Sequence, residues 1–246
     1  MNQIFNLANN LSLIRIVFAL IATYMIMTKD ITAIMIAIIL IAYSELTDMF
    51  DGYIARRDNI VTNIGKLLDP LSDSVSRFLF FFAFGYIGLF PIWLVLALFL
   101  RDIIVAYIRT YVSLSGIAMG ARFSGKLKAV VQFIGQYLLL FSLVLWLRQN
   151  GQNIDDTVLY VLIFLGSIST MVILYFLRIE GIYLKYSIWG YLAFLIPFYL
   201  INIVPIPNFS LELFNIIVMI LVTSVTIYSL FDYIIGFIEN FKKVNL

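Results

Sequence analysis

Neither cysteine nor histidine occurs in the 246-residue chain. That excludes disulfides, thiol nucleophiles, thiolate or imidazole zinc sites and imidazole bases. Proton transfer or metal binding must therefore use carboxylates. Charge is also scarce, at 12% of residues against roughly a quarter in an ordinary soluble domain. The net charge is only +2 and no long basic run occurs, so nucleic acid is not an expected partner. No Lys or Arg precedes Arg15 in "MNQIFNLANNLSLIRI" and no small-residue cleavage site follows it. This start is expected to be a short amphipathic lead-in at 1–10 rather than a removable signal peptide. What the chain has in abundance is apolar surface, 63% of residues. The lipid bilayer is thus the dominant expected partner.

Apolar runs of spanning length, about 20 residues, fall at 11–28, 31–50, 69–90, 92–114, 127–147, 156–177, 183–203 and 211–238. They predict an all-α, polytopic transmembrane bundle of about eight spans forming a single integral membrane domain over 1–246. Turn chemistry separates the spans at "TKD", "GLFP", "RQNGQN" and "VPIPN". One set of connections, with the C-terminus, holds Arg56, Arg57, Lys66, Arg122, Lys126, Lys128, Arg178, Lys185, Lys242 and Lys243. The other set holds Lys29 and Arg148. By the positive-inside rule both termini are expected in the cytoplasm of a multi-pass inner-membrane protein.

Against this apolar background the stretch 44–74, "SELTDMFDGYIARRDNIVTNIGKLLDPLSDS", concentrates Asp48, Asp51, Asp69 and Asp73. Helical spacing places each pair on one face of its helix. Four carboxylates at a membrane boundary would repel one another and resist desolvation. One or two divalent cations relieve both problems, and an oxygen-only ligand set favours hard ions, Mg²⁺ or Mn²⁺. Gly52 and Ala55 share the stripe of Asp48 and Asp51, with Arg56 beside it, which leaves room for a flat ligand and points to a nucleotide diphosphate. Single-residue explanations compete with this: Asp69 as an N-cap before Pro70 at the first helical position, and Asp73 paired with Arg77. They account for each Asp separately but not for the convergence.

Written out, D48-x-x-D51-G52-x-x-A55-R56, eight residues, then G65-x-x-x-D69-x-x-x-D73, the stretch resembles the full signature of the CDP-alcohol phosphotransferases, membrane enzymes of phospholipid synthesis. The resemblance implies a six-helix core and two divalent cations held by Asp48, Asp51, Asp69 and Asp73. It also implies a CDP-lipid bound by Gly52, Ala55, Arg56, Thr62 and Gly65. Asp73 would be the general base, taking the proton of an acceptor hydroxyl that attacks the lipid-bearing phosphorus and releases CMP. The active site would lie at the cytoplasmic face, and the family commonly forms homodimers. "NNLSLIR" resembles the family's Asn-x-Leu-Thr-x-x-Arg opening, with Ser12 in the Thr position.

The acceptor is addressed by residues 101–132. Arg101 and Arg109 lie in an apolar span and project within about 80° of each other, and each would be costly there without a partner. Asp102, seven residues before Arg109, is an expected neutralising partner. Arg122, Lys126 and Lys128 follow in "GARFSGKLK", and together these five cations suit a phosphate-bearing acceptor. Positive-inside topology and anionic headgroups offer a plainer explanation for Arg122 and Lys128. The stretch resembles the phosphatidylglycerophosphate synthase branch of the family, with Ala129 in place of Thr, Ser72 in place of Ala and Ser74 in place of Lys. The branch implies CDP-diacylglycerol and glycerol 3-phosphate as substrates. Inositol, inositol phosphate, serine or phosphatidylglycerol are alternative acceptors.

Two predicted helices exceed the six-helix core, within about 150–210. Either they are inserted before the last family helix or the last two spans are appended. "TIYSLFDYI" at 226–234 resembles the branch's terminal Thr-x-x-Ser-x-x-x-Tyr and favours insertion, while "SISTMVILY" at 167–175 competes for the same place. A cation transporter or channel is the main non-enzyme alternative. It would need a polar path near the midplane, whereas all four signature aspartates gather near one face.

Overall fold

The computed structural model describes residues 7–57, 65–114, 122–176 and 210–244; within them, side chains 7–8, 46–57, 66–67, 113–114, 167–176 and 240–244 are not described. Among the described residues there are seven helices and no strands. These are α1 (Leu7–Met27), α2 (Ile31–Arg57), α3 (Gly65–Tyr86), α4 (Trp93–Leu114), α5 (Phe123–Gln149), α6 (Asp156–Phe176) and α7 (Leu211–Val244). Among the described residues, three stretches are long and apolar enough to cross a membrane: Asn9–Met27, Phe123–Gln149 and Leu211–Glu239. The predicted span at 183–203 lies outside the described residues.

Helix ends follow local chemistry. Asp30 caps α2, its Oδ2 accepting from the Ala33 amide at 2.9 Å, and Ser210 caps α7 through the Leu213 amide at 3.2 Å. Gly88 and Gly151 close α3 and α5 with φ of 89° and 87°. At each, the next amide reaches back to a carbonyl of the last turn, Leu89 to Phe84 and Gln152 to Leu147. Only glycine enters that left-handed cap without steric cost.

The chain divides into two compact units, one comprising Met1–Leu89 and Leu140–Ser169, the other Phe90–Leu139 and Thr170–Leu246. In the first, α1 packs against both α2 and α3. Ala19, Ala22 and Ala37 are fully buried there beside Ile26, Ile34, Ile38, Phe81 and Phe84. Small side chains let helices approach closely where lipid supplies little hydrophobic drive. The polar side of this face is as telling: Asn9, Ser12 and Arg15 are 1%, 3% and 2% exposed. Three polar residues of the "NNLSLIR" opening, Asn9, Ser12 and Arg15, are thus buried. At another end of this unit, Lys29 stacks over Trp146, Gln152 donates to the Lys29 carbonyl and Arg148 pairs with Asp156. The two basic residues of the charge-poor side are therefore both engaged.

In the second unit α4 packs on α7. Gly135 on α5 meets α7 so closely that an added Cβ would lie 2.5 Å from Val222 Cγ2.

Candidate active site

The signature residues of α2 stand on one continuous helix through Arg57, seven residues beyond the predicted end of that span. At 3.6 residues per turn, positions 48, 51, 52 and 55 share a stripe. The side chains of Asp48, Asp51, Ala55 and Arg56 are among those not described, and Thr62 lies outside the described residues.

α3 begins at Gly65, four residues before the predicted start. Asp69 is accordingly inside the helix and Pro70 is an interior proline, so the reading of Asp69 as N-cap and Pro70 as first helical residue is corrected. As the sixth residue of the helix, Pro70 lies just past the four N-terminal amides that have no intrahelical partner and removes one ladder hydrogen bond near that end. Four residues apart, Asp69 and Asp73 project from one face. Their side chains are 50% and 31% exposed.

Arg15 of α1 meets this pair from the buried side. Its Nη1 lies 2.6 Å from Asp73 Oδ1 and 3.6 Å from Asp69 Oδ1, and donates to Ser72 Oγ at 3.3 Å. Ser72, fully buried, donates in turn to the Asp69 carbonyl at 2.9 Å. Arg77 approaches Asp73 from α3 itself at 3.9 Å, so the expected one-turn pair exists but is the longer contact. Arg15 was not among the predicted site residues. Its signal in the sequence was the arginine ending "NNLSLIR", and its partner lies 58 residues away.

The second unit gathers most of the predicted acceptor cations. Asp102 Oδ1 accepts from Arg101 Nη1 at 3.0 Å and from Lys128 Nζ at 2.5 Å. All three are 5–9% exposed. Arg101 also donates to Ser229 Oγ at 2.5 Å and stacks over Tyr233. Arg122 grips Asp232 side-on, Nε to Oδ2 at 2.8 Å and Nη2 to Oδ1 at 2.7 Å, and Ser124 Oγ donates to the same carboxylate. The Asp232 hydrogen bond raises the Arg122 pKa above its ordinary value. The Arg122 amide donates to the Tyr233 hydroxyl. Lys126 is half-buried, while Arg109 is exposed on α4.

The expected Asp102–Arg109 pairing is therefore corrected, since Asp102 is taken by Arg101 and Lys128. Seven residues of helix separate the two groups by about 10 Å along the axis, and nearer cations win. Asp102 and Asp232 were absent from the predicted site. Each is a carboxylate among cations, and the pairing crosses between helices distant in sequence.

A family model described as CDP-alcohol phosphatidyltransferase matches residues 5–168. The chain is 35% identical over 102 residues to a Bacillus subtilis protein named CDP-diacylglycerol–glycerol-3-phosphate 3-phosphatidyltransferase, covering 42% of this chain and 53% of that one. A protein of the same name from Mycoplasma genitalium is 26% identical over 63% of this chain and 60% of its own. One from Rickettsia bellii is 31% identical over 61% and 79%. The match thus spans between half and two thirds of the first two relatives.

Proposed function

The chain belongs to the CDP-alcohol phosphatidyltransferase family, and from that premise we propose that it moves a phosphatidyl group from CDP-diacylglycerol to sn-glycerol 3-phosphate, giving phosphatidylglycerophosphate and CMP. The observation that carries this reading is the α3 pair, Asp69 and Asp73 on one accessible face with the buried Arg15 against them. The acceptor is supported by the names of the relatives and by the cations gathered around Asp102 and Asp232.

The donor set fits a hard divalent cation: oxygen ligands only, two of them a helical turn apart, in a place already built to balance negative charge. Asp48, Asp51, Asp69 and Asp73 would hold two such ions, Mg²⁺ or Mn²⁺, which when bound stabilise charge on the diphosphate and on the leaving oxygen. Gly52, Ala55 and Arg56 receive the cytidine and its phosphates, with Thr62 and Gly65 at the same ligand. Asp73 takes the proton of the glycerol hydroxyl while its oxygen bonds to the lipid-bearing phosphorus. The bond from that phosphorus to the bridging oxygen breaks, and CMP leaves with the electron pair.

Arg101, Arg109, Arg122, Lys126 and Lys128 form the acceptor-phosphate side of the reading. Arg101 and Lys128 converge on the Asp102 carboxylate, a concentration of cationic donors suited to a phosphate-bearing anion. Thr226, Ser229 and Tyr233 of α7 meet Gln132, Arg101 and the Arg122 amide. Those contacts support α7 as the last core helix, with two helices inserted before it in an eight-span, inner-membrane protein. Both termini and the active site are assigned to the cytoplasmic side by the charge asymmetry of the connections. A homodimer belongs to the reading through family resemblance.

The test is CMP release by purified protein with CDP-diacylglycerol, Mg²⁺ or Mn²⁺ and a panel of acceptors. Glycerol 3-phosphate is expected to drive release. Release with inositol phosphate, serine or phosphatidylglycerol but not glycerol 3-phosphate would assign another acceptor. No CMP release with any of them would remove the transferase reading.

Gly236 supplies a second check. A Cβ there would lie 1.8 Å from Arg122 Nη1, so Gly236→Ala must push the guanidinium out of its pairing with Asp232. Because that pair is partly exposed, the expected stability change is within about 1 kcal/mol. The KM for glycerol 3-phosphate is expected to rise several-fold while that for CDP-diacylglycerol stays put. Equal KM values for the acceptor in variant and parent would take Arg122 out of the acceptor site.

A further inference from the structure

Among the described residues, Arg15 is a strongly buried cation placed against the carboxylates of α3. Its side chain is 2% exposed, whereas those of Asp69 and Asp73 are 50% and 31% exposed. A guanidinium withdrawn from water is costly unless paired, and Arg15 meets its pairing at this place. The contact is also directional. Arg15 Nη1 takes Asp73 Oδ1 at 2.6 Å, stands 3.6 Å from Asp69 Oδ1, and reaches Ser72 Oγ between them. Ser72 ties that hydroxyl to the Asp69 carbonyl, so three residues of one α3 turn are referenced to a single planar group.

Among the described residues, the other charged group facing Asp73 is Arg77, at 3.9 Å and with its side chain 30% exposed. Its longer contact is partly screened by solvent. Arg15, 2% exposed, is shielded from that screening.

We propose that Arg15 is a resident counter-cation and positioning residue: it holds Asp73 for proton transfer and opposes the divalent cation that the same carboxylates bind. This rests on the metal-dependent reading above. A fixed positive charge beside the carboxylates weakens the binding of a second cation by like-charge repulsion. The same charge orients the oxygen that must meet the acceptor hydroxyl. Removing it therefore moves two quantities in opposite directions. Metal binding tightens and turnover falls, whereas a residue that merely packs would weaken both or leave metal binding alone.

The experiment measures Mn²⁺ binding to the full-length protein in detergent by electron paramagnetic resonance, without substrates, alongside CMP release. Parent protein is compared with Arg15→Met, Arg15→Lys and Arg77→Met. Arg15→Met is expected to bind Mn²⁺ about five-fold or more tighter, by the scale of a nearby unit charge, and to turn over at least tenfold more slowly. Arg77→Met is expected to change Mn²⁺ affinity less than Arg15→Met does. Arg15→Lys keeps the charge and loses the fork, so it should retain parental Mn²⁺ affinity with reduced turnover; it carries the test if Arg15→Met does not fold. Unchanged or weaker Mn²⁺ binding in folded Arg15→Met, or unchanged turnover, overturns the proposal while leaving the metal reading intact. No Mn²⁺ binding by the parent protein overturns both.

Discussion

Asp73→Asn is expected to lower CMP release by at least about 10³-fold, the upper part of the range for loss of a positioned general base, with the fold retained. The two halves of that expectation have separate physical grounds. Asparagine has nearly the same shape, and its amide oxygen can still accept from Arg15, which stands 2.6 Å from Asp73 Oδ1. The apolar contacts that fix α3 lie further along it, at Phe80, Phe81 and Phe84, and do not involve residue 73. An amide, however, cannot take the acceptor's proton at neutral pH and is a poorer ligand for a hard cation. CMP release and thermal unfolding in detergent should therefore separate cleanly. Substantial turnover in the folded variant would remove Asp73 from the role of base.

How far the site could be read from sequence depends on whether its parts are local. Spacing within one helix was legible: Asp69 and Asp73 share a face of α3, and the stripe of Asp48, Asp51, Gly52 and Ala55 continues on α2. The turns at 28–30 and 148–153 were legible because glycine and short polar residues leave the chain few other conformations. The extents of α2 and α3 were less so. Hydropathy ends a span where charge begins, but backbone hydrogen bonds continue through Asp48–Arg57 and start again at Gly65, since helix and hydrophobic span are different quantities. Partners distant in sequence were not legible at all. Arg15 to Asp73, Lys128 to Asp102 and Arg122 to Asp232 each join separate helices or connections, and no periodicity in one segment encodes its neighbour. In each case the clue was a charged residue in an apolar setting, which requires a partner without naming it.

The second large effect concerns one such partner. Asp102→Ala is expected to destabilise the protein by about 3–5 kcal/mol, the cost of leaving buried charge uncompensated. Arg101 and Lys128 both converge on Asp102 Oδ1, at 3.0 and 2.5 Å, and both are more than nine-tenths buried. Without the carboxylate, two like charges would face each other in a low-dielectric place, and one would have to leave it or lose its proton. Lys128→Met in the same protein should cost less, because it leaves the Arg101–Asp102 pair balanced and further held by Ser229. Asp102→Ala combined with Lys128→Met should recover part of the loss, since the second change removes one of the two stranded cations. For a chain of this size the single change corresponds to a drop of roughly 10 °C in melting temperature, readable by thermal unfolding in detergent. If Asp102→Ala and Lys128→Met melted equally, or the double variant melted no higher than Asp102→Ala alone, the carboxylate would not be the group that lets two cations share this site.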